Sequence, residues 1–163
     1  MPTYFIYLLN IFALALPLAI CEIFAEKQAG WGSGWPKNRW YAKPFAPNHS
    51  VVKLITNILQ IESPLTYHVV TVVVIISLIY VCEYVYWTHN ILLLLASFIG
   101  VLVFEDCFWF LFNWHFDSLK QLLKGPHGSI WWHKRWIRIS RDHYLPASYF
   151  LAFSVSLTLL LLA

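Results

Sequence analysis

The run Phe104-Glu105-Asp106-Cys107-Phe108-Trp109-Phe110-Leu111-Phe112-Asn113-Trp114-His115 closes an apolar stretch that begins near Ile91. Two adjacent carboxyls are followed by aromatics, an Asn and a His, with no basic side chain before Lys120. A charged group at the centre of a membrane helix costs about 2.5–3.5 kcal/mol on insertion scales, so an acid in such a place marks a functional site by default. Three kinds of chemistry suit Glu105 and Asp106. They can pair with Lys or Arg of a neighbouring loop and tether it. They can ligate a metal together with Glu22 and His133, since carboxylates and imidazoles converging between helices form the metal sites of helical bundles. Or one acid can give up a proton in a low-dielectric setting beside its charged neighbour, with no metal involved.

For these residues to meet, the chain must bring them to one depth, and the elements that do so are apolar spans. The chain has 163 residues, 60% hydrophobic and 12% charged, with a mean hydropathy of +0.62. Soluble domains carry about 25% charged residues, so the composition is that of an integral membrane protein. The net charge of +3 gives no nucleic-acid signature, because all eleven Lys and Arg fall in two stretches, Lys27–Lys53 and Lys120–Arg141, beside apolar runs. The N-terminus lacks the positive region and cleavage site of a signal peptide. Cys21, Cys82 and Cys107 each fall in an apolar run without a CxxC pattern and read as small buried hydrophobes.

Four spans are expected, over residues 4–24, 66–87, 91–113 and 145–163, making a single all-α domain over residues 1–163: a four-transmembrane-helix bundle. Pro17 interrupts the first. The β-branched run Val69–Ile76 in the second has strand-like propensity, but a lone strand in lipid leaves its backbone unsatisfied, so helix prevails. Between the first two spans, Ser50 is placed to cap a helix whose apolar positions Val51, Leu54, Ile55, Ile58 and Leu59 oppose Lys53, Asn57 and Gln60; this reads as an amphipathic helix on the membrane surface, stopped before Pro64. The tryptophans at 31, 35 and 40 read as an interfacial aromatic belt. Both basic connections fall on one side, which the positive-inside rule makes cytoplasmic, with both termini outside a plasma (inner) membrane.

Depth then sorts the acids. At 1.5 Å per residue Glu105 lies about 21 Å from the outer turn at residues 88–90, and Glu22 about one helical turn deeper. Glu26 and Asn113 lie near the same inner interface, to which the second connection returns His133. Asp106 and Asn113 are nearly eclipsed on their helix and Glu105 is one residue step away, whereas His115 points elsewhere. The expected catalytic pair is therefore Glu105 and Asp106, the expected metal ligands are Glu22, Glu105, Asp106 and His133, and Glu26, Asn113, Trp109 and Trp132 surround them. Hard oxygen donors with some nitrogen suit Fe, Mn or Zn. Glu83 sits near the outer end, level with Asn10, and reads as an interhelical hydrogen bond. His49, His68, His89 and His143 lie at span ends and are given no role.

The segment Glu105-Asp106-x-x-Trp109-Phe110 resembles the acidic-aromatic motif of small membrane lycopene cyclases, but it lacks the Pro that precedes that motif and is too short to assign a family. No histidine series of membrane desaturases, nucleophile elbow, P-loop or dinucleotide fingerprint occurs. The expected function is a membrane-embedded enzyme, metal-assisted or not, acting on a lipid or isoprenoid-like substrate at the cytoplasmic leaflet. Its partners are then membrane lipid and a hydrophobic small molecule, with a homo- or hetero-oligomer open. The alternatives are a non-catalytic membrane subunit or assembly factor that grips a partner or anionic lipid with its Trp and basic loops, and a small proton-conducting element using Glu83 and Glu105.

Overall fold

The computed structural model describes residues 3–27, 30, 32–115 and 117–163, with the backbone alone at Leu59, Val72 and Val73. Three helices are long and apolar enough to cross a membrane: α1 (Thr3–Glu26), α3 (Thr66–Tyr86) and α4 (Ile91–Phe112). The others are α2 (Ser50–Leu59), α5 (Ser118–Leu123) and α6 (Ala147–Leu162), the last apolar but shorter. At 16 residues α6 is about 24 Å long. The span expected over 145–163 is thus trimmed at its start, because Leu145 and Pro146 belong to a strand. That strand, β2 (Tyr144–Pro146), pairs antiparallel with β1 (Trp136–Arg138), placing Trp136 opposite Pro146. This hairpin was not expected from the sequence, its strands being too short to show a period of two.

Local chemistry sets the helix ends. Asn90 caps α4 by accepting from the Leu93 amide at 3.1 Å. His49, not Ser50, caps α2: its Nδ1 accepts from the Val51 amide at 3.3 Å. Gln60 then closes α2 in the left-handed conformation. Residues Ile11–Ala15 widen into a π-helical turn just before Pro17, which has no amide hydrogen and whose ring crowds the carbonyl four residues back. The β-branched stretch Val70–Ile76 is helical, as expected, and also π-helical.

α4 is the central helix, packed along both α1 and α6. Gly100 permits the closest approach: a Cβ there would lie 2.6 Å from Tyr7 Oη and 2.9 Å from Ile11 Cδ1. The same three helices are laced by Tyr7 Oη to Ser156 Oγ at 2.9 Å, and by Ser156 Oγ donating to the Ala96 carbonyl at 2.8 Å. Asn10 donates to Glu83 at 3.0 Å, the expected interhelical bond. Buried side chains form two layers, Tyr7, Ile11, Ile76, Tyr80, Leu93 and Val101 in one and Ala19, Ile23, Trp109, Phe110, Ile130 and Trp132 in the other. Outward, Phe5, Phe12, Phe24, Leu78, Val81, Leu95 and Leu151 are exposed along the helices. Such a continuous apolar exterior is what lipid covers. Cys21 and Cys82 share it, correcting the expectation that they are buried; all three cysteines are free.

Candidate functional site

Four of the chain's eight acidic residues meet at one end of the long helices. α1 supplies Glu22 and Glu26 from its last turns, α4 supplies Glu105 and Asp106, the first turn of α3 supplies Tyr67 and His68, and α6 supplies Tyr149. Helices α1 and α4 run side by side in the same direction, from Tyr7 and Ile11 against Gly100 to Lys27 against Asn113, so the last turns of both share a level.

The Glu22 carboxyl lies beside that of Glu105. The Tyr67 side chain lies beside the same Glu22 carboxyl. Glu26, with 3% of its side chain exposed, faces His68, whose Nε2 lies 3.7 Å from Glu26 Oε1. One donor atom each of Glu22, Glu26 and His68 lie within 4.8 Å of one another. The His68 ring is oriented by Nδ1, which stands 3.3 Å from the Leu65 amide. The half-buried Trp35 covers this side, its indole donating to the Ala25 carbonyl at 3.0 Å and its ring meeting that of Tyr67 at 5.2 Å.

Asp106 faces another way. Tyr149 donates its hydroxyl proton to Asp106 Oδ2 at 2.6 Å, and His133 Nε2 stands 3.3 Å from the same oxygen. His133 is buried within a cage of Phe110, Trp132, Trp136 and Tyr149 rings at 5.3–6.5 Å. Its backbone is strapped into place: the Glu62 amide donates to the Trp132 carbonyl at 2.9 Å, the Lys134 amide to the Gln60 carbonyl at 2.7 Å, and the Ala147 amide to the Arg135 carbonyl at 3.0 Å. Asp106 keeps 25% of its side chain exposed, against 4% for His133.

The geometry sorts the expected residues. Glu22, Glu105, Asp106 and His133 do gather, but in two halves: Glu22 with Glu105, and His133 with Asp106. Glu26, expected in the surroundings, lies inside the first half. Asn113 does not face the cluster; it ends α4 and donates to the Lys27 carbonyl at 2.7 Å, tying the first connection to the helix. Trp109 and Trp132 are buried in the lower core layer with ring centres 6.0 Å apart. The tethering partner of Asp106 is His133 rather than a cation: among the described residues no Lys or Arg forms an ion pair with any of the four carboxylates. Trp31 of the expected belt lies outside the described residues, and Trp35 packs inward while Trp40 stays exposed.

His68, Tyr67 and Tyr149 were missed. The same depth arithmetic that paired Glu22 with Glu105 would have found them, since α3 and α6 start at the end where α1 finishes. Two clefts elsewhere, of about 330 Å³ from Phe110 to Lys120 and about 500 Å³ from Lys124 to Tyr144, are lined by none of the four carboxylates.

Comparison with protein families, with curated proteins and with solved structures gave no match. A helical protein with three helices long and apolar enough to cross a membrane and a carboxylate, histidine and tyrosine cluster at one end is as far as identification goes.

Proposed function

We propose that the chain is a membrane-embedded enzyme acting on a lipid or isoprenoid-like substrate, with the cluster as its reactive centre. In this reading α6 completes a four-span bundle, the connections carrying Lys and Arg face the cytoplasm, and α2 lies in the headgroup region. The exposed Val51, Leu54, Ile55 and Ile58 of α2 support that last placement.

One observation carries the proposal. Asp106 accepts from Tyr149 at 2.6 Å on the oxygen that His133 Nε2 faces at 3.3 Å, with Glu105 next to it and aromatic rings around His133. A tyrosine hydroxyl, a carboxylate and an imidazole in contact form a path along which a proton can be given to or taken from a bound molecule. Asp106 is also the more reachable end, and the Phe104 and Phe153 rings, 6.4 Å apart, stand one helical turn away between α4 and α6. Such a surface suits a long apolar substrate with one reactive polar end.

The test compares lipid extracts of cells producing wild-type protein with cells producing Asp106→Asn or Tyr149→Phe. Wild type is expected to change the amount of a defined lipid or isoprenoid species. Both variants should lose that change by about 100-fold, the usual worth of a positioned acid or base, while inserting in equal amount. Identical profiles from wild type and both variants would overturn the reading and favour a non-catalytic subunit.

A further inference from the structure

The second connection builds a cleft that the cluster does not use. Its volume is about 500 Å³, and Lys124, His127, Arg138, Arg141, Asp142 and Tyr144 line it, three cations against one acid. None of Lys124, Arg138 and Arg141 forms an ion pair with a described residue. The fold fixes both walls. On one side Gly125 turns the chain in the left-handed conformation, φ +58°, close against β2: a Cβ there would lie 2.4 Å from Tyr144 Cβ. His127 of the same turn packs edge-on against the Tyr144 ring at 5.8 Å. On the other side the hairpin turn holds the Arg138 guanidinium. Its Nε donates to the Ser140 and Arg141 carbonyls at 3.1 Å each, and its Nη2 donates to the Arg141 carbonyl as well. Nη1 and the second Nη2 proton remain for a ligand, in a planar fork whose direction is already set.

The level of the cleft decides which anion it meets. β2 passes without a break into α6, whose Phe150, Leu151 and Phe153 are exposed as lipid-facing side chains are. Tyr144 therefore stands just before the chain enters hydrocarbon, at the depth of headgroup phosphates; this placement rests on the reading of α6 as a span. The ladder continues past β1, the Ile139 amide donating to the His143 carbonyl at 2.9 Å. Ile137 and Ile139 thus lie on the face of the extended chain opposite Arg138, and both are exposed. Aliphatic side chains beside basic ones are what a bilayer surface accommodates. We infer that the cleft binds the phosphate group of one anionic phospholipid headgroup. Arg138 and Arg141 take the phosphate oxygens, since a guanidinium can meet two of them at once, and Lys124 adds a point charge. A zwitterionic lipid brings its own ammonium into a lining that is already cationic and binds less well.

The experiment uses the full chain in a non-ionic detergent and counts bound lipid by native mass spectrometry during titration with phosphatidylglycerol or phosphatidylcholine. Wild type is expected to retain one phosphatidylglycerol per chain, about tenfold more tightly than phosphatidylcholine. Arg138→Ala, Arg141→Ala and Lys124→Ala should each weaken it by about fivefold, the usual worth of one cation at an anionic surface. Lys120→Ala and Lys134→Ala, whose side chains lie outside the cleft, should keep it. Arg138 ties down its own turn, so Arg141→Ala and Lys124→Ala keep the test open should Arg138→Ala fail to fold. Equal weakening by Lys120→Ala and Arg141→Ala, or equal retention of the two lipids, would overturn the site. Displacement of phosphatidylglycerol by an equal concentration of inorganic phosphate would overturn it too, making the cleft a site for a soluble anion. Loss of the lipid in Asp106→Asn would do the same by placing it at the cluster. The count is made in detergent, so it succeeds or fails apart from whether α6 crosses a bilayer. Phosphatidylglycerol bound as expected, with unchanged lipid profiles in cells, would leave the cleft standing and remove only the enzyme reading.

Discussion

Among single residues, Asn10 and Glu83 show how polar groups are used away from the cluster. Glu83 is buried and takes the Asn10 amide at 3.0 Å, joining α1 to α3 near the end opposite the cluster. Interhelical hydrogen bonds in membrane proteins are worth about 0.6 kcal/mol on average and up to about 1.7. Glu83→Gln keeps an acceptor of the same shape, so thermal unfolding in detergent should stay near that of wild type. Glu83→Leu leaves Asn10 without its partner and should lower the midpoint. An equal loss in both variants would mean that the negative charge itself matters. The pair was legible from depth alone, because Asn10 and Glu83 each lie a short count of residues from the outer end of their helix. His68 was not read the same way: a lone histidine near a span end is common, and its orientation depends on the Leu65 amide and the Pro64 turn before it.

The elements owe their arrangement to close approaches that a pattern of hydrophobicity does not record. α4 is apolar around its whole circumference, so periodicity gives no face to assign, yet it is the helix that α1 and α6 share. Gly100 fixes one contact. A valine there would drive its β-carbon into Tyr7 and Ile11, separating α1 from α4 or displacing the Tyr7–Ser156 bond. Gly100→Val should destabilise the fold by about 1–3 kcal/mol, as overpacked sites do, read as a lowered unfolding midpoint. A companion change Ile11→Ala should restore part of it by vacating space; no restoration would place the clash on Tyr7. The connections were the least legible part. The β1–β2 hairpin and the strap from residues 60–62 to 132–134 are built from backbone hydrogen bonds between distant segments, which leave no mark in composition.

For the whole molecule, topology is the property most open to a direct check. Cysteines introduced at Ser33 and Ser129, in a background with Cys21, Cys82 and Cys107 replaced, should be labelled from the cytoplasmic side. A cysteine at His89 should be labelled from the opposite side. The reasoning is the placement of every Lys and Arg in the two connections at one end of the helices. Labelling of Ser33 and Ser129 from opposite faces would mean that α3 and α4 do not both cross the bilayer. The three long helices were legible because helices of fixed rise must reach across a hydrocarbon layer of about 30 Å. The division of the acids into two halves was not, since it depends on side chains from four elements meeting at angles that no spacing encodes.

The cluster draws equally on the two sides of the turn at residues 88–90: Glu22, Glu26, Tyr67 and His68 precede it, and Glu105, Asp106, His133 and Tyr149 follow. During synthesis the first pair of helices is therefore made, with Glu26 beside His68 and Glu22 beside Tyr67, before Glu105 and Asp106 exist. Glu22 meets Glu105 only when α4 packs beside α1, and His133 takes its place only when the last part of the chain is in. Association of the two halves and completion of the polar centre are one event. A protein stalled before that event would expose uncovered acids at the lipid boundary, the kind of surface by which a quality-control protease tells an unfinished membrane protein from a finished one.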